Sequence, residues 1–281
     1  MIIWLASYPK SGNTWVRALL SAYLYSEQGD FQFNLLKNID AFPSKKYFES
    51  FMTSFHDMKK VSNFWLPAQN KINLKDGITF LKTHSALCKF ENNKFTDEQN
   101  TKAVIYIVRD PRNVITSLSN HYSLSANDSL NFITKKNRML VIGKQGEKDF
   151  GIAEVLGDWS EHYKSWKNIK FAPLLIVKYE DLISDTKGTF MHILKFLKKF
   201  MEIKINEKKI ENTIKTCTFE KLAQKENEEG FDEAVISKKN NKKVKFFNLG
   251  VKNDWRNLLD AHSENKIRDL FGAEMKELGY I

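Results

Sequence analysis

Short apolar runs alternate along the chain with longer stretches in which apolar and polar positions follow a helical period. The apolar runs are compact and rich in β-branched residues or leucine, which predicts buried strands at Ile2–Ser7, Ile78–Lys82, Ala103–Val108 and Leu174–Lys178. The helical period predicts amphipathic helices at Thr14–Tyr25, Asn113–His121, Ala153–Trp166 and Lys187–Phe200. Strands that alternate with helices form βαβ units, so we expect an α/β fold with a parallel sheet that helices cover on both faces.

Two segments depart from this alternating pattern. No internal repeat and no linker rich in Pro, Gly or Ser interrupts the 281 residues, so we expect a single domain over residues 1–281. Residues 226–249 are rich in lysine, and we interpret them as a long loop. Residues 27–75 are poorly periodic, and we interpret them as an insertion on the substrate side. Their aromatic side chains fit either an acceptor pocket or the core: Phe42, Phe51, Phe55, Phe64 and Trp65.

Composition and charge narrow the classes of function. With 42% hydrophobic and 28% charged residues, the chain is expected to be ordered and globular. Two cysteines make no disulfide framework, the first residues lack the charged lead-in of a signal peptide, and no apolar run approaches the ~20 residues of a membrane span. We therefore expect a cytoplasmic protein. The net charge of +10 favours an anionic partner, and a nucleic acid and a small charged nucleotide both fit it.

The segment between the first predicted strand and helix has the features of a phosphate-binding loop. Gly12 allows the backbone to turn tightly, and the free N–H groups at the start of a helix attract anions. Asn13 and Thr14 add side-chain donors, and Lys10 adds a positive charge. The loop does not match the Walker A pattern, because Lys10 precedes the glycine instead of following it. An ordinary capped turn between a strand and a helix is the alternative interpretation.

The sequence of this loop is also similar to that of a known family. Residues 8–15, YPKSGNTW, resemble the YPKSGTTW loop with which sulfotransferases bind the 5′-phosphosulfate of 3′-phosphoadenylyl sulfate (PAPS), the sulfuryl donor. Further matches occur in the family's order as far as Asn257, so the resemblance covers most of the chain. It implies that PAPS is bound by six residues of the loop: Lys10, Ser11, Gly12, Asn13, Thr14 and Trp15.

A candidate base follows the second predicted strand. Lys82 and His84 are two residues apart, so on a continuing strand both side chains project to the same side. Histidine has an ordinary pKa suited to proton removal near neutrality, although a single histidine at a strand end is commonly structural. The stretch resembles the family's KTH element. This implies that His84 is the general base for the acceptor, and that Lys82 and Lys10 stabilise the transferring group.

A candidate phosphate site follows the third predicted strand. Arg109 stands at the carboxyl end of this strand, where its planar fork suits a phosphate. Ser117 lies a little over two turns along the next helix, and Pro111 suits the first turn of that helix. The alternative is that Arg109 pairs with Asp110 or with a neighbouring carboxylate. The pair of Arg109 and Ser117 resembles the family's RDPRD–S element, which implies that it holds the 3′-phosphate.

The remaining motifs concern the adenine and the C-terminal part of the chain. Residues 179–182 resemble YEDL, and residues 218–222 resemble SFexL, which implies adenine contacts from Tyr179, Thr218 and Phe219. Residues 247–257 resemble the RKGxxGDWKN element and retain Gly250, but Asn248 and Leu249 replace its Arg-Lys pair. Three lysines just upstream are candidates for the missing charge: Lys242, Lys243 and Lys245.

The motifs together predict sulfuryl transfer from PAPS to a hydroxyl or amine of a small-molecule acceptor. We expect no metal, because cations and loop amides meet the charge of the donor, and no nucleic-acid or membrane partner. One alternative is a kinase of related fold, which would need a lysine after the glycine and a carboxylate for Mg²⁺. The other is a basic module that binds nucleic acid, which would need exposed aromatics among clustered basic residues.

Overall fold

The predicted alternation of strands and helices is present in the computed structural model, which describes residues 1–141, 151–235 and 243–281. The strands of the described residues are β1 (Ile2–Ser7), β2 (Asp40–Ala41), β3 (Thr79–Thr83), β4 (Lys89–Phe90), β5 (Asn93–Lys94), β6 (Thr101–Val108), β7 (Met139–Val141), β8 (Ala153–Val155) and β9 (Leu174–Lys178). Each of the four predicted strands is observed within two residues of its predicted bounds.

The α-helices of the described residues are α1 (Asn13–Tyr25), α2 (Met58–Ser62), α3 (Trp65–Asn73), α4 (Pro111–Tyr122), α5 (Ala126–Thr134), α6 (Trp159–Lys167), α7 (Tyr179–Ser184), α8 (Thr186–Leu197), α9 (Glu207–Thr216), α10 (Phe219–Glu229), α11 (Trp255–Leu258) and α12 (Ala261–Glu277). Short 3₁₀ helices lie at Phe33–Asn38, Lys45–Tyr47 and Gly250–Lys252.

The central sheet has five parallel strands in the order β2-β3-β1-β6-β9. The strand β1 lies in the middle, with Ile3 beside Phe80 of β3 on one side and Ala103 of β6 on the other. Because all the strands run in the same direction, the loops that follow them leave from one edge of the sheet. This arrangement confirms the predicted fold class, a single α/β domain with a parallel sheet.

The side chains of the central strands alternate between two apolar layers. Trp4 and Tyr106 point to one face, which packs against α3, α4, α5, α6 and α12. Ile3 and Ile105 point to the other face, which packs against α1, α8, α9 and α10. Burial on both faces explains why these strands are continuous apolar runs instead of alternating ones.

The predicted helix at Ala153–Trp166 is wrong in its first part. Residues Ala153–Val155 form β8 and pair in antiparallel fashion with β7, and the helix α6 begins only at Trp159. Gly157 has a φ of +66°, which interrupts helical geometry. Asp158 then caps α6, because its carboxylate accepts the N–H of Glu161 and the Glu161 carboxylate accepts the N–H of Asp158.

The two segments without clear periodicity contain regular elements. Helix α10 runs to Glu229 and so enters the segment interpreted as a loop, and it ends at Gly230, which has a φ of +78°. In the first segment the aromatic residues form part of the core, with Phe42 and Trp65 fully buried. Phe51 and Phe64 stack on each other at the edge of the same apolar layer.

Candidate active site

The loop between β1 and α1 has a strained backbone that packs closely on Tyr179. Lys10 has a φ of +65° and Gly12 a φ of +100°, both in the left-handed region. A Cβ on Gly12 would lie 2.4 Å from the ring of Tyr179. The glycine is therefore required by the close approach of this ring as well as by the backbone turn. The loop leads directly into α1, whose first N–H groups are free to bind an anion.

Two cations, one within this loop and one beside it, lie over aromatic rings. The Lys10 ammonium lies 3.7 Å from the centre of the Phe246 ring, and the Arg109 guanidinium lies 4.1 Å from the centre of the Tyr179 ring. Desolvation lowers the pKa of Lys10 to about 7, an effect that Glu233 opposes. Arg109 donates to the carbonyl of Lys10 at 3.1 Å, and its Nε is buried without a partner. Arg109 therefore does not pair with Asp110, whose carboxylate instead binds Arg112.

Aromatic side chains gather beyond the loop. Trp15 packs edge-to-face on Tyr179, with ring centres 5.8 Å apart, and its indole N–H donates to the carbonyl of Cys217. Phe219 stands at the start of α10, and a Cβ on Gly250 would lie 2.7 Å from its ring. The φ of Gly250 is +53°, so both the backbone and the neighbouring ring favour glycine there. This arrangement provides three ring faces beside one cavity.

One cavity of about 770 Å³ joins these elements, a size typical of small-molecule sites. Of the residues predicted to form the site, those that line this cavity are Lys10, Gly12, Asn13, Thr14, Trp15, Lys82, His84, Arg109, Ser117, Tyr179, Phe219 and Gly250. Ser11 and Thr218 are not among the lining residues. The Ser11 side chain is buried, and Thr218 caps α10 by accepting the N–H of Lys221.

The imidazole of His84 is fixed in one tautomer. Its Nδ1 lies 2.8 Å from the carbonyl oxygen of Ser7, which can only accept, so Nδ1 carries the proton. The other nitrogen, Nε2, is then the proton acceptor. Desolvation lowers the pKa of His84 to about 3, and the charge of Lys82 contributes to the shift. The imidazole is therefore neutral near pH 7, as a general base must be.

The main chain of His84 is held from both sides by buried groups that the sequence analysis missed. Glu154 of β8 accepts the N–H of His84 at 2.7 Å. The carbonyl of His84 accepts the Nε2–H of His162, which is itself oriented by the hydroxyl of Tyr106. Desolvation raises the pKa of Glu154 to about 7. These contacts fix the position of His84 at the carboxyl end of β3.

A second carboxylate that the sequence analysis missed lies beside the loop between β1 and α1. Glu233 pairs with the guanidinium of Arg17 at 2.5 Å and with the ammonium of Lys82 at 3.3 Å. Its second oxygen accepts the hydroxyl of Thr14 at 3.0 Å. Arg17 lies one turn after Thr14 on α1 and donates to the carbonyls of Leu36 and Ile39 as well.

The segment that contains Asn248 and Asn253 is attached to α4 by hydrogen bonds of these two side chains. The side-chain amide of Asn253 donates to the carbonyl of Asn113 and accepts from the hydroxyl of Thr116. Asn253 stands at the position of the second glycine in the RKGxxGDWKN element. Asn248 lines the cavity and binds Asn120 at 2.6 Å. Of the three candidate lysines upstream, Lys243 and Lys245 do not line the cavity, and Lys242 lies outside the described residues.

The cavity extends past His84 to a second side, away from the aromatic rings. Residues of β2, α4, β7 and β8 form its wall there: Asp40, Ala41, Tyr122, Leu140, Val141 and Glu154. None of the aromatic residues proposed for this wall from residues 27–75 contributes to it in the described part of the chain. The wall combines apolar side chains with two carboxylates.

These features define an α/β protein in which a loop before a helix N-terminus, several cations and a neutral histidine line one cavity. Comparison with known proteins identifies the family. Residues 2–279 match the family model described as "Sulfotransferase domain", so the chain belongs to the sulfotransferase family, as the motifs predicted.

Curated relatives and solved structures agree with this assignment. The chain is 23% identical to the amine sulfotransferase of Oryctolagus cuniculus over 98% of this chain and 81% of the relative. It is 27% identical to flavonol 4′-sulfotransferase of Flaveria chlorifolia over 99% of this chain and 80% of the relative. A mouse sulfotransferase crystallised with PAP has the same fold, with a TM-score of 0.59 at 20% identity over 97% of this chain and 83% of that one.

No helix in the described part of the chain is long and apolar enough to cross a membrane. No group of three or more His, Cys, Asp or Glu side chains in residues 1–141, 151–235 and 243–281 is arranged to hold a metal ion.

Proposed function

We propose that this protein transfers a sulfuryl group from PAPS to a hydroxyl or amine of a small-molecule acceptor. The observation that carries the proposal is the arrangement of Lys10, Lys82 and a neutral His84 around one cavity at the carboxyl ends of parallel strands. Ligands of open α/β sheets bind at this edge. Membership of the sulfotransferase family supports sulfuryl as the transferred group.

In the proposed reaction, the acceptor oxygen or nitrogen attacks the sulfur of PAPS. A new bond to sulfur forms as the bond from sulfur to the bridging phosphate oxygen breaks. The proton of the acceptor passes to Nε2 of His84. The bridging oxygen leaves with the electron pair as part of adenosine 3′,5′-bisphosphate, and Lys10 and Lys82 stabilise its negative charge. Positioning and electrostatic stabilisation supply most of the rate, and the base adds about 10²–10⁴-fold.

The donor is assigned to the side of the cavity that holds the loop and the rings. The loop amides, Lys10 and Thr14 are proposed to bind the 5′-phosphosulfate. Arg109, whose buried Nε lacks a partner, and Ser117 are proposed to bind the 3′-phosphate. The adenine is proposed to lie among the rings of Trp15, Tyr179 and Phe219. The solved relatives with bound PAP support this assignment through their shared fold.

The acceptor is assigned to the opposite side of the cavity, beyond His84. The relatives named after amines and flavonols support a small molecule that carries an amine or a hydroxyl. The mixed wall of apolar side chains and carboxylates accommodates either group. We also propose a cytoplasmic location, which the free thiols of Cys88 and Cys217 support.

A transfer assay with labelled PAPS and a panel of phenols, alcohols and amines tests the proposed function. We expect label to move to at least one acceptor class, with adenosine 3′,5′-bisphosphate formed in equal amount. The His84→Ala variant should keep its affinity for the bisphosphate and lose turnover. Full turnover in this variant would overturn the role of His84. Absence of transfer to every acceptor, together with absence of nucleotide binding, would overturn the function.

A further inference from the structure

The carboxylate of Glu233 occupies the centre of the cationic cluster at the phosphate-binding loop. One oxygen contacts Arg17 and Lys82, and the other accepts the hydroxyl of Thr14. These partners come from two separate elements, so the carboxylate links α1 to β3. Glu233 itself belongs to neither element, because it follows α10.

Two of the three partners of Glu233 are groups that the proposed function assigns to the donor. Thr14 belongs to the loop assigned to the 5′-phosphosulfate, and Lys82 is assigned to the transferring group. A carboxylate and a phosphate oxygen make the same kind of charge-assisted hydrogen bonds to such donors. The same donors cannot satisfy both anions at full strength.

We infer that Glu233 is an internal competitor of the donor, whose carboxylate holds the anion site until the 5′-phosphosulfate displaces it. This inference rests on the proposed function and adds the regulation of the same site. In the absence of nucleotide, Glu233 supplies negative charge to Arg17 and Lys82, and its charge also acts on Lys10. Binding of the donor exchanges this single carboxylate for a more highly charged group.

The environment of Glu233 is consistent with such an exchange. Desolvation raises the pKa of Glu233, but the charges of Lys82 and Arg17 lower it further, so that it falls well below its usual range and the side chain stays ionised. The side chain keeps 27% of its surface exposed, whereas that of Arg17 keeps 6%. The carboxylate therefore has a path to water, while the guanidinium stays fixed by the carbonyls of Leu36 and Ile39.

The test compares the affinities of two nucleotides for the wild-type protein and for Glu233→Gln. Adenosine 3′,5′-bisphosphate carries the 5′-phosphate that competes with the carboxylate, and adenosine 3′-monophosphate does not. Removing the competitor frees the binding-competent state, so we expect the bisphosphate to bind about tenfold or more tightly to Glu233→Gln. The affinity for the monophosphate should change much less. Asp232→Asn removes a neighbouring negative charge and serves as the matched control.

Each outcome of this titration decides the question. A gain for the bisphosphate alone, absent in Asp232→Asn, supports the inference. An unchanged or weaker bisphosphate affinity, or an equal gain for both nucleotides, overturns it while leaving the proposed function intact. Absence of nucleotide binding to the wild-type protein and both variants would overturn the proposed function and this inference with it. Glu233→Ala provides a second variant, and a rise in its melting temperature on adding bisphosphate would show that it is folded and binds the nucleotide.

Discussion

The carboxylate of Glu154 accepts the main-chain N–H of His84 at 2.7 Å, although the two residues are 70 positions apart in the sequence. This hydrogen bond joins the small β7–β8 hairpin to the end of the central strand β3. Together with His162 on the opposite side, it fixes the main chain that carries the proposed base. Glu154 is thus a positioning residue for His84.

Replacing Glu154 by Leu should lower turnover without changing nucleotide affinity. The buried N–H of His84 would lose its acceptor, at a cost of about 1–3 kcal/mol. If this cost raises the free energy of the transition state, the rate falls by roughly 5- to 150-fold. Glu154→Gln keeps an oxygen acceptor and should restore most of the kcat. The measurements are kcat and bisphosphate affinity for both variants. Equal loss in the two variants would contradict a positioning role.

The affinity for the bisphosphate should fall as pH rises above 7. The pKa of Lys10 is lowered to about 7, so the free protein loses this charge above that pH. An anion favours the protonated ammonium, and binding above pH 7 should therefore take up a proton and weaken by up to about tenfold per pH unit. The measurement is calorimetry between pH 6 and pH 9 in buffers of different ionisation enthalpy.

Lys10→Arg is the control for this pH dependence. Arginine stays charged throughout the range, so the fall in affinity should be reduced or absent in this variant. Ionisation of the nucleotide phosphates is common to both proteins and cancels in the comparison. An identical pH profile for the wild-type protein and Lys10→Arg would show that Lys10 does not titrate in this range.

A methyl group at Gly12 should abolish nucleotide binding, because it would meet the ring of Tyr179 at 2.4 Å. Gly77 provides a matched control: its φ is +92°, and a Cβ there would have no neighbour within 4 Å. Both alanine variants carry a backbone penalty of roughly 1–2 kcal/mol. Melting temperature and bisphosphate affinity separate the two effects. Normal nucleotide affinity in Gly12→Ala would show that Tyr179 and the loop are not part of the nucleotide-binding site.

Removal of the Phe219 ring should weaken the binding of adenine nucleotides. Stacking of a base on an aromatic side chain contributes about 1–3 kcal/mol, so Phe219→Ala should raise the dissociation constant of the bisphosphate by roughly 5- to 150-fold. Phe171, which is exposed on the surface, gives the control variant Phe171→Ala. If the two variants bind the bisphosphate equally well, the adenine does not lie on Phe219.

Local patterns in the sequence were sufficient to predict the central strands and the loop. The strand runs are continuous because both faces of the sheet are buried. Residues just after these strands line the cavity because parallel strands end at one edge of the sheet. The helix at Ala153–Trp166 was partly wrong because pairing of β8 with β7 overrides local helical spacing. Such a pairing has no signal within the segment itself.

The residues that the sequence analysis missed differ in whether any signal existed. Arg17 lies three positions after Thr14, so the two residues share a face of α1. This spacing was sufficient to predict that Arg17 lies near the loop. Glu233 contacts Arg17 across 216 positions, and Glu154 contacts His84 across 70. These carboxylates contact their partners only because the fold brings distant segments together. Neither residue follows a strand of the central sheet, so no local signal in the sequence pointed to them.

The most direct test of the account is a calorimetric titration of the purified protein with adenosine 3′,5′-bisphosphate, followed by the same titration with ADP. We predict saturable binding of the bisphosphate at one site per chain, weakened by Arg109→Ala, and much weaker binding of ADP, which lacks the 3′-phosphate. The proposed function is contradicted if the bisphosphate produces no heat or binds no better than ADP.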